Sequence, residues 1–496
     1  MPANRIISLL PLSLLFSRYI FGRLLPGFAF CPVLLLLATN TFAHPLPDSI
    51  ARLLRDYRIP VSAVSIDVRQ METGRSVLSL NSDISRTPAS VIKILTTLAA
   101  LEILGPHHQW ETRYLADGQV NKGVLHGDLV LKGGGDPFLT VEQFWKQVLH
   151  IRQMGIQAIT GDLVIDNTLF RLPKHDRSAF DNEPTRLYNV GPDAALVNSS
   201  ATNFVIQPLD GRVVVFASPP MAGLEIENKM TLSDGKCSRP GNGWQYDIRR
   251  KDAKIIASFT GKYRRSCDQY SFGRSIVPNH EYTHRLFAYL WASTGGIFNG
   301  GYRVERASRT ARPLAAHASR PLADIITGVN KFSTNVLARQ LMLGLDTPDE
   351  NNPATMEGAR HAIGDWLEAN NLSMPRLTLD NGSGLSRQTR ITSGNLGELL
   401  QHGWRSNFRA ELLSSLSLVA LDGTMKKRLA DSRLKGRARI KTGWLKGVRS
   451  MAGYVNARDD TWYSVTLLIE SGAVGYRTGN RIQDALLKWV YDLPSQ

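Results

Sequence analysis

The run Thr87-Pro88-Ala89-Ser90-Val91-Ile92-Lys93-Ile94-Leu95-Thr96-Thr97-Leu98-Ala99-Ala100-Leu101 sets a serine and a lysine three positions apart in a segment that is otherwise almost wholly apolar. Pro88 suits the first position of a helix, Thr87 can cap it and Gly105 can end it, which places Ser90 and Lys93 one turn apart on one face. A helix apolar on nearly every side is a buried helix. Burial penalises the ammonium form of lysine and moves its pKa toward the range where it accepts a proton. Such a lysine can activate a neighbouring hydroxyl. The bland alternative is a lysine that snorkels out of an apolar helix beside an unrelated serine.

Two further tripeptides shift the balance. Ser333-Thr334-Asn335 and Lys441-Thr442-Gly443 follow in the order of the Ser-x-x-Lys, Ser-x-Asn and Lys-Thr-Gly set that marks penicillin-binding proteins and class A β-lactamases. Each is weak alone. The first reads more readily as a helix cap, and Lys441 belongs to a basic stretch with Lys426, Lys427, Arg428, Lys435, Arg437 and Arg439 that would ordinarily be a solvated face. Their joint occurrence in this order is what carries the argument.

The chain has 496 residues, enough for two to four domains at roughly 100–200 residues each. No acidic residue precedes Asp48, arginines stand at Arg5, Arg18 and Arg23, and an apolar stretch over residues 28–38 ends near Ala43. Residues 1–43 therefore read as an export signal cleaved after Ala43, with an uncleaved anchor or an upstream start as the open alternatives. Cleavage would lower the formal charge from +16 by three arginines to +13. A basic exported protein suits anionic membrane faces, by peripheral association, and cell-wall polymers; export makes nucleic acid a poor partner. Beyond the leader only Cys237 and Cys267 remain, an even pair that predicts one disulfide in an oxidising compartment, two free thiols being the alternative.

Alternation predicts strands over residues 62–68 and 75–80 before the Ser90 helix, and over 438–442, 451–455 and 463–469 near the other end, with a closing helix over 480–491. If both ends feed one sheet, the domain they form is split. Ser90 and Ser333 are 243 positions apart, far more than a helical subdomain needs, whereas Ser333 and Lys441 are separated by 108. Short strand patterns at 126–132, 158–165, 203–206, 212–217 and 254–259, with one helix near 140–154, make residues 106–282 an inserted β-rich region of one or two domains. Helical patterns at 282–291, 322–343 and 359–369 mark the return. The fold expected is α/β: a transpeptidase-like catalytic domain, antiparallel sheet with flanking helices, from residues 44–105 and 283–496.

The motifs, their order, the long insertion and the segments Asp380-Asn381-Gly382-Ser383-Gly384-Leu385-Ser386-Arg387 and Leu421-Asp422-Gly423-Thr424 resemble the class C low-molecular-mass penicillin-binding proteins, exported D-alanyl-D-alanine carboxypeptidases and endopeptidases. The residues read Ser90 as nucleophile, Lys93 as base, Ser333 as a proton relay to the leaving amine and Asn335 as a partner of the substrate amide. Lys441 adds positive charge, Thr442 can bind a terminal carboxylate, and Gly443 lets substrate backbone approach the strand. The resemblance implies an oxyanion hole from the backbone N–H groups of Ser90 and Trp444. It also implies a stem-peptide site at Asp166, with Phe170 and Arg387; a structural strand-end aspartate is the equal alternative for Asp166.

Two departures matter. The family commonly has Asp where Thr334 stands and a hydroxyl residue where Trp444 stands, so one expected carboxylate ligand is missing. This leaves acylation better supported than terminal D-alanine release and favours an endopeptidase acting on cross-links. The substrates implied are peptidoglycan stem peptides, with β-lactams as covalent inhibitors. A β-lactamase, or a scaffold that keeps the fold without catalysis, are the competing readings. No metal or other cofactor is called for, since His-Glu-x-x-His is absent and His107 and His108 read as a loop pair.

Overall fold

A computed structural model describes residues 45–237 and 242–494; the leader assigned to residues 1–43 lies outside them. Alternating apolar residues at both chain ends meet in one six-stranded sheet. Its order is Ser417–Leu418, Ala438–Leu445, Val448–Asn456, Trp462–Glu470, Val64–Gln70, Ser76–Leu80, antiparallel throughout. Val64–Gln70 pairs with Trp462–Glu470 from Val64 opposite Ile469 to Gln70 opposite Tyr463, which closes the split domain on itself.

Both faces of this sheet are covered, and the period of two sorts its residues between them. Val64, Ile66, Met451, Val455, Leu467 and Ile469 pack against the first helix (Asp48–Asp56) and the last (Tyr476–Tyr491) through Ile50, Leu54, Ile482 and Leu486. Ala452, Tyr454 and Leu468 face the other way, onto a helical layer containing Leu95, Leu98, Leu337, Leu341 and Leu399. The helix Lys93–Leu104 lies inside that layer, and every residue from Lys93 to Leu101 is buried. Gly105 ends it at φ +84°, as expected.

The start of this helix departs from expectation. The first turn, Ala89–Ile92, is a 3-10 turn, Ala89 has φ +47°, and α-geometry begins only at Lys93. Thr87 does not cap it, because its hydroxyl donates to Glu470 Oε1 at 2.9 Å. The helical pattern of residues 322–343 is likewise two helices, Leu322–Lys331 and Asn335–Gly344, broken where Ser333 takes φ +59°.

The insertion has two β-rich parts. In one, seven strands include Glu111–Asn121, Val124–Lys132, Leu163–Asp166 and Arg312–Ala318, with the helices Val141–Gln153 and Asn279–Ser293 sharing its core. In the other, two three-stranded sheets enclose Phe204, Ile206, Phe259 and Tyr263, and a disulfide joins Cys237 to Cys267. The expected return at residue 283 comes later. Tyr282, Leu286, Phe287 and Trp291 pack with Phe144, Val148 and Ile151 of the insertion, and Arg312–Ala318 pairs with Glu111–Asn121, so the chain re-enters the catalytic layer at Leu322.

Candidate active site

Ser90 rides the 3-10 turn, Lys93 opens the helix behind it, Ser333 and Asn335 flank the break between two helices, and Lys441 stands on the strand Ala438–Leu445. These four elements converge. Lys93 Nζ lies 3.0 Å from Ser90 Oγ and 2.8 Å from Asn335 Oδ1, and also donates to the carbonyl of Ser383. Lys441 Nζ donates to Ser333 Oγ at 2.8 Å and to the carbonyl of Thr442 at 2.9 Å.

Both lysines have no solvent exposure. Burial drives the Lys93 pKa well below the ordinary lysine value, and the cations of Lys441 and Arg339 push it the same way. Burial alone lowers Lys441 to about 7. Neither lysine has a carboxylate in ion-pair contact among the described residues, so no protein anion holds them in the charged form.

The strand Ala438–Leu445 meets the Ser90 turn at Gly443. A Cβ there would fall 2.9 Å from Ser90 N, 2.8 Å from the Pro88 carbonyl and 2.1 Å from Ser450 Oγ, so only glycine lets strand and turn touch. Ser417–Leu418 pairs with this strand only at Ile440 and Arg439, leaving its edge open among the described residues from Lys441 onward. Thr442 Oγ1 lies 3.0 Å from Thr424 Oγ1. Trp444 is 55% exposed and meets Tyr476 edge-on, ring centroids 6.1 Å apart, so its side chain leans outward.

Arg387 is exposed at the rim, donating to the Lys446 carbonyl at 3.0 Å with its guanidinium 5.9 Å from the Phe180 ring. Phe180 and Leu385 pack there against Ala89, Leu445 and Val448. Asp166 is turned inward. Oδ1 accepts from Thr168 N and Oγ1 at 3.0 and 2.6 Å, and Oδ2 accepts from Ala307 N at 2.9 Å, the geometry of a strand-end anchor rather than an open carboxylate. Phe170 packs with Leu343 and Ala354.

Several contributors had no separate signal in the sequence. Ser383 binds Lys93 through its carbonyl, which carries no residue-type signature. Arg339, one turn beyond Asn335, is buried and donates to the Val190 carbonyl at 2.8 Å, while Asn335 Nδ2 donates to that of Tyr188 at 3.4 Å. Both acceptors belong to the insertion.

A serine beside a buried lysine, an asparagine and a second buried lysine at an open strand edge define the serine acyl-transfer enzymes of the penicillin-recognising class. The chain matches the D-Ala-D-Ala carboxypeptidase 3 (S13) family over residues 46–493 and belongs to it. It is a serine D,D-peptidase of that family. The D-alanyl-D-alanine carboxypeptidase DacB of Haemophilus influenzae is 25% identical over 429 residues, covering 84% of this chain and 87% of that relative. A D-alanyl-D-alanine carboxypeptidase of Actinomadura sp. (strain R39) is 26% identical over 435 residues, covering 83% and 78%. In fold, the chain resembles penicillin-binding protein 4 of Haemophilus influenzae at a TM-score of 0.72 and 22% identity, covering 90% of this chain and all of the other. It also resembles a predatory endopeptidase of Bdellovibrio bacteriovorus at 0.52 and 14%, covering 86% and 92%. Among the described residues no helix is long and apolar enough to cross a membrane.

Proposed function

We propose that Ser90 attacks the D-alanyl carbonyl of peptidoglycan stem peptides, with Lys93 as the base that takes its proton and Ser333 as the relay to the leaving amine. One observation carries this reading: the three contacts of Lys93 Nζ. A neutral amine has two N–H groups and one lone pair. Asn335 Oδ1 and the Ser383 carbonyl can only accept, so they take the two N–H groups, and the lone pair is left for the Ser90 hydroxyl, the one partner of the three that can donate. Lys441 supports the relay by holding Ser333, and the Ser90 and Trp444 backbone N–H groups, on the turn and open edge that meet at Gly443, are the donors for the developing oxyanion.

The same attack on a strained lactam gives a covalent adduct. A related penicillin-binding protein 4 has been solved with a β-lactam bound, which supports β-lactams as inhibitors here. The arginine-bearing, acid-free segment ending in an apolar run before Ala43 supports export to the cell envelope, and the basic balance of the chain supports peripheral association at anionic surfaces. Intact-mass measurement after incubation with benzylpenicillin tests the reading. The protein gains one penicilloyl mass, and Ser90→Ala, folded by circular dichroism, gains none. An adduct on Ser90→Ala would assign the nucleophile elsewhere. A wild-type adduct lost within seconds would make the protein a β-lactamase.

A further inference from the structure

Position 444 lacks the hydroxyl that would complete a carboxylate receptor with Thr442, and the Trp444 ring leans to solvent against Tyr476. A second hydroxyl nevertheless stands beside Thr442. Thr424 Oγ1 is 3.0 Å away, on the turn Gly423–Met425, which is distant in sequence but folded against the same strand.

That turn is rigidly placed. Thr424 N donates to Ser417 Oγ at 3.2 Å, and the two hydroxyl oxygens of Ser417 and Thr424 are 3.3 Å apart. Asp422 accepts from Leu418 N at 2.7 Å and from Lys331 Nζ at 2.5 Å. Gly423 sits at φ +53°, and a Cβ there would fall 2.3 Å from Ser417 Oγ and 2.7 Å from the Lys331 carbonyl, so the turn is pressed against its neighbours. Thr424 itself remains exposed.

Behind the two threonines lies Lys441, buried, donating to Ser333 Oγ and the Thr442 carbonyl, and without a carboxylate partner among the described residues. A buried cation without an anion is costly, and a ligand carboxylate would relieve that cost. Arg387 stands at the rim, donating from Nη1 to the Lys446 carbonyl at 3.0 Å with its guanidinium over the Phe180 ring.

We propose that Thr424 and Thr442 together form the receptor for the substrate's terminal carboxylate, with Lys441 as the positive charge behind it, so that Thr424 supplies the hydroxyl that position 444 lacks. The two hydroxyls share one hydrogen bond in the empty site, and on binding each O–H turns to donate to one carboxylate oxygen. Charge-assisted bonds of this kind are roughly twice as strong as neutral ones, so the exchange favours the bound state. This deepens the D,D-peptidase reading and rests on it.

The experiment compares two reactive probes, an N-acyl-D-alanyl thioester of thioglycolic acid and its carboxamide, on the full chain. The readout is the preference for acid over amide in kcat/KM. Thr424→Val loses about tenfold of that preference, and Thr424→Ser, which keeps the hydroxyl, retains it. An unchanged preference in Thr424→Val overturns the proposal whatever the absolute rates, because a merely structural role would slow both probes together. A Thr424→Ser variant that loses as much as Thr424→Val overturns it as well. Penicillin acylation of Ser90 in the wild type is measured in parallel. If that fails, the D,D-peptidase reading fails first, independently of Thr424.

Discussion

Lys93 shows how a single residue's surroundings decide its role. On an exposed helix it would be a solvated cation, but here burial and the cations of Lys441 and Arg339 all disfavour its charged form. The base must be neutral to act, so activity rises with pH through the Lys93 pKa. Because burial lowers that pKa, the acid limb of the acylation profile lies well below the pH of about 10 that an ordinary lysine would need. Lys93→Arg keeps the charge and removes the base. We expect its second-order rate of acylation by a fluorescent penicillin to fall by about 10²- to 10⁴-fold, the usual contribution of a positioned base. A fall of less than threefold would show that Lys93 is not the base. The pairing of Ser90 with Lys93 was legible because both lie on one local segment. The orientation of Trp444 was not, since strand alternation says which face a side chain leaves from and nothing about which neighbour, here Tyr476, it leans on.

At the scale of elements, the strands at the chain ends were readable because alternate residues enter two differently packed faces, as where Tyr463, Val465, Leu467 and Ile469 join one core while Ser464 and Thr466 leave from the other face. The strand Glu111–Asn121 and the strands between residues 297 and 318 escaped notice. In Glu111–Asn121 burial alternates at Thr112, Tyr114 and Ala116, but two of those three are a polar and a small residue, and Tyr302–Val304 is exposed throughout, so little hydrophobic alternation is written into them. The break at Ser333 was legible in part, since Ser333 and Asn335, two positions apart, can share one direction only from a loop or extended segment, and they do flank the connection between two helices. The apolar helical pattern of residues 322–343 runs across that connection, so the pattern alone shows one helix, and the left-handed φ of Ser333 accompanies the bond that its hydroxyl accepts from Lys441. The disulfide was legible from cysteine parity alone. It joins Cys237 and Cys267, 30 residues apart, ahead of the strands Trp244–Lys251 and Tyr270–Arg274 in the second part of the insertion. Replacing both by serine should cost about 3–4 kcal/mol in the chain-entropy account. Limited proteolysis should then cut the insertion faster while penicillin acylation stays within twofold of wild type. Equal proteolysis rates would show that the bond contributes no stability there.

On the scale of the whole molecule, the insertion is more than an ornament between two catalytic motifs, because its residues 187–193 lie against the helix Asn335–Gly344. Asn335 and Arg339 donate to the carbonyls of Tyr188 and Val190, and Gln340 both accepts from Asp193 N at 2.8 Å and donates to the Asp193 carbonyl at 2.9 Å. The last contacts continue to His280, whose Nε2 is 2.6 Å from Asp193 Oδ2. Such contacts could not be read from sequence, since the partners on the insertion are mostly backbone carbonyls more than 140 positions away. Arg339 also places a buried positive charge near the base. The charged and titratable groups that face it are Lys93, His175 on the insertion side, and Asp380, which is shared with Arg360 at 3.9 Å. Removing one cation from this group makes Lys93 easier to protonate. Its pKa therefore rises, and the acid limb of the acylation profile moves to higher pH. We expect Arg339→Gln to show that upward displacement in the pH dependence of acylation by a chromogenic cephalosporin, with the rate recovering toward wild type on the alkaline side. Arg339→Lys keeps the charge and should leave the limb in place. A uniform loss at every pH in Arg339→Gln would mean that the guanidinium acts only as a tether for residues 187–190, and a limb displaced equally in Arg339→Lys would show that hydrogen bonding to Val190, rather than charge, sets the base.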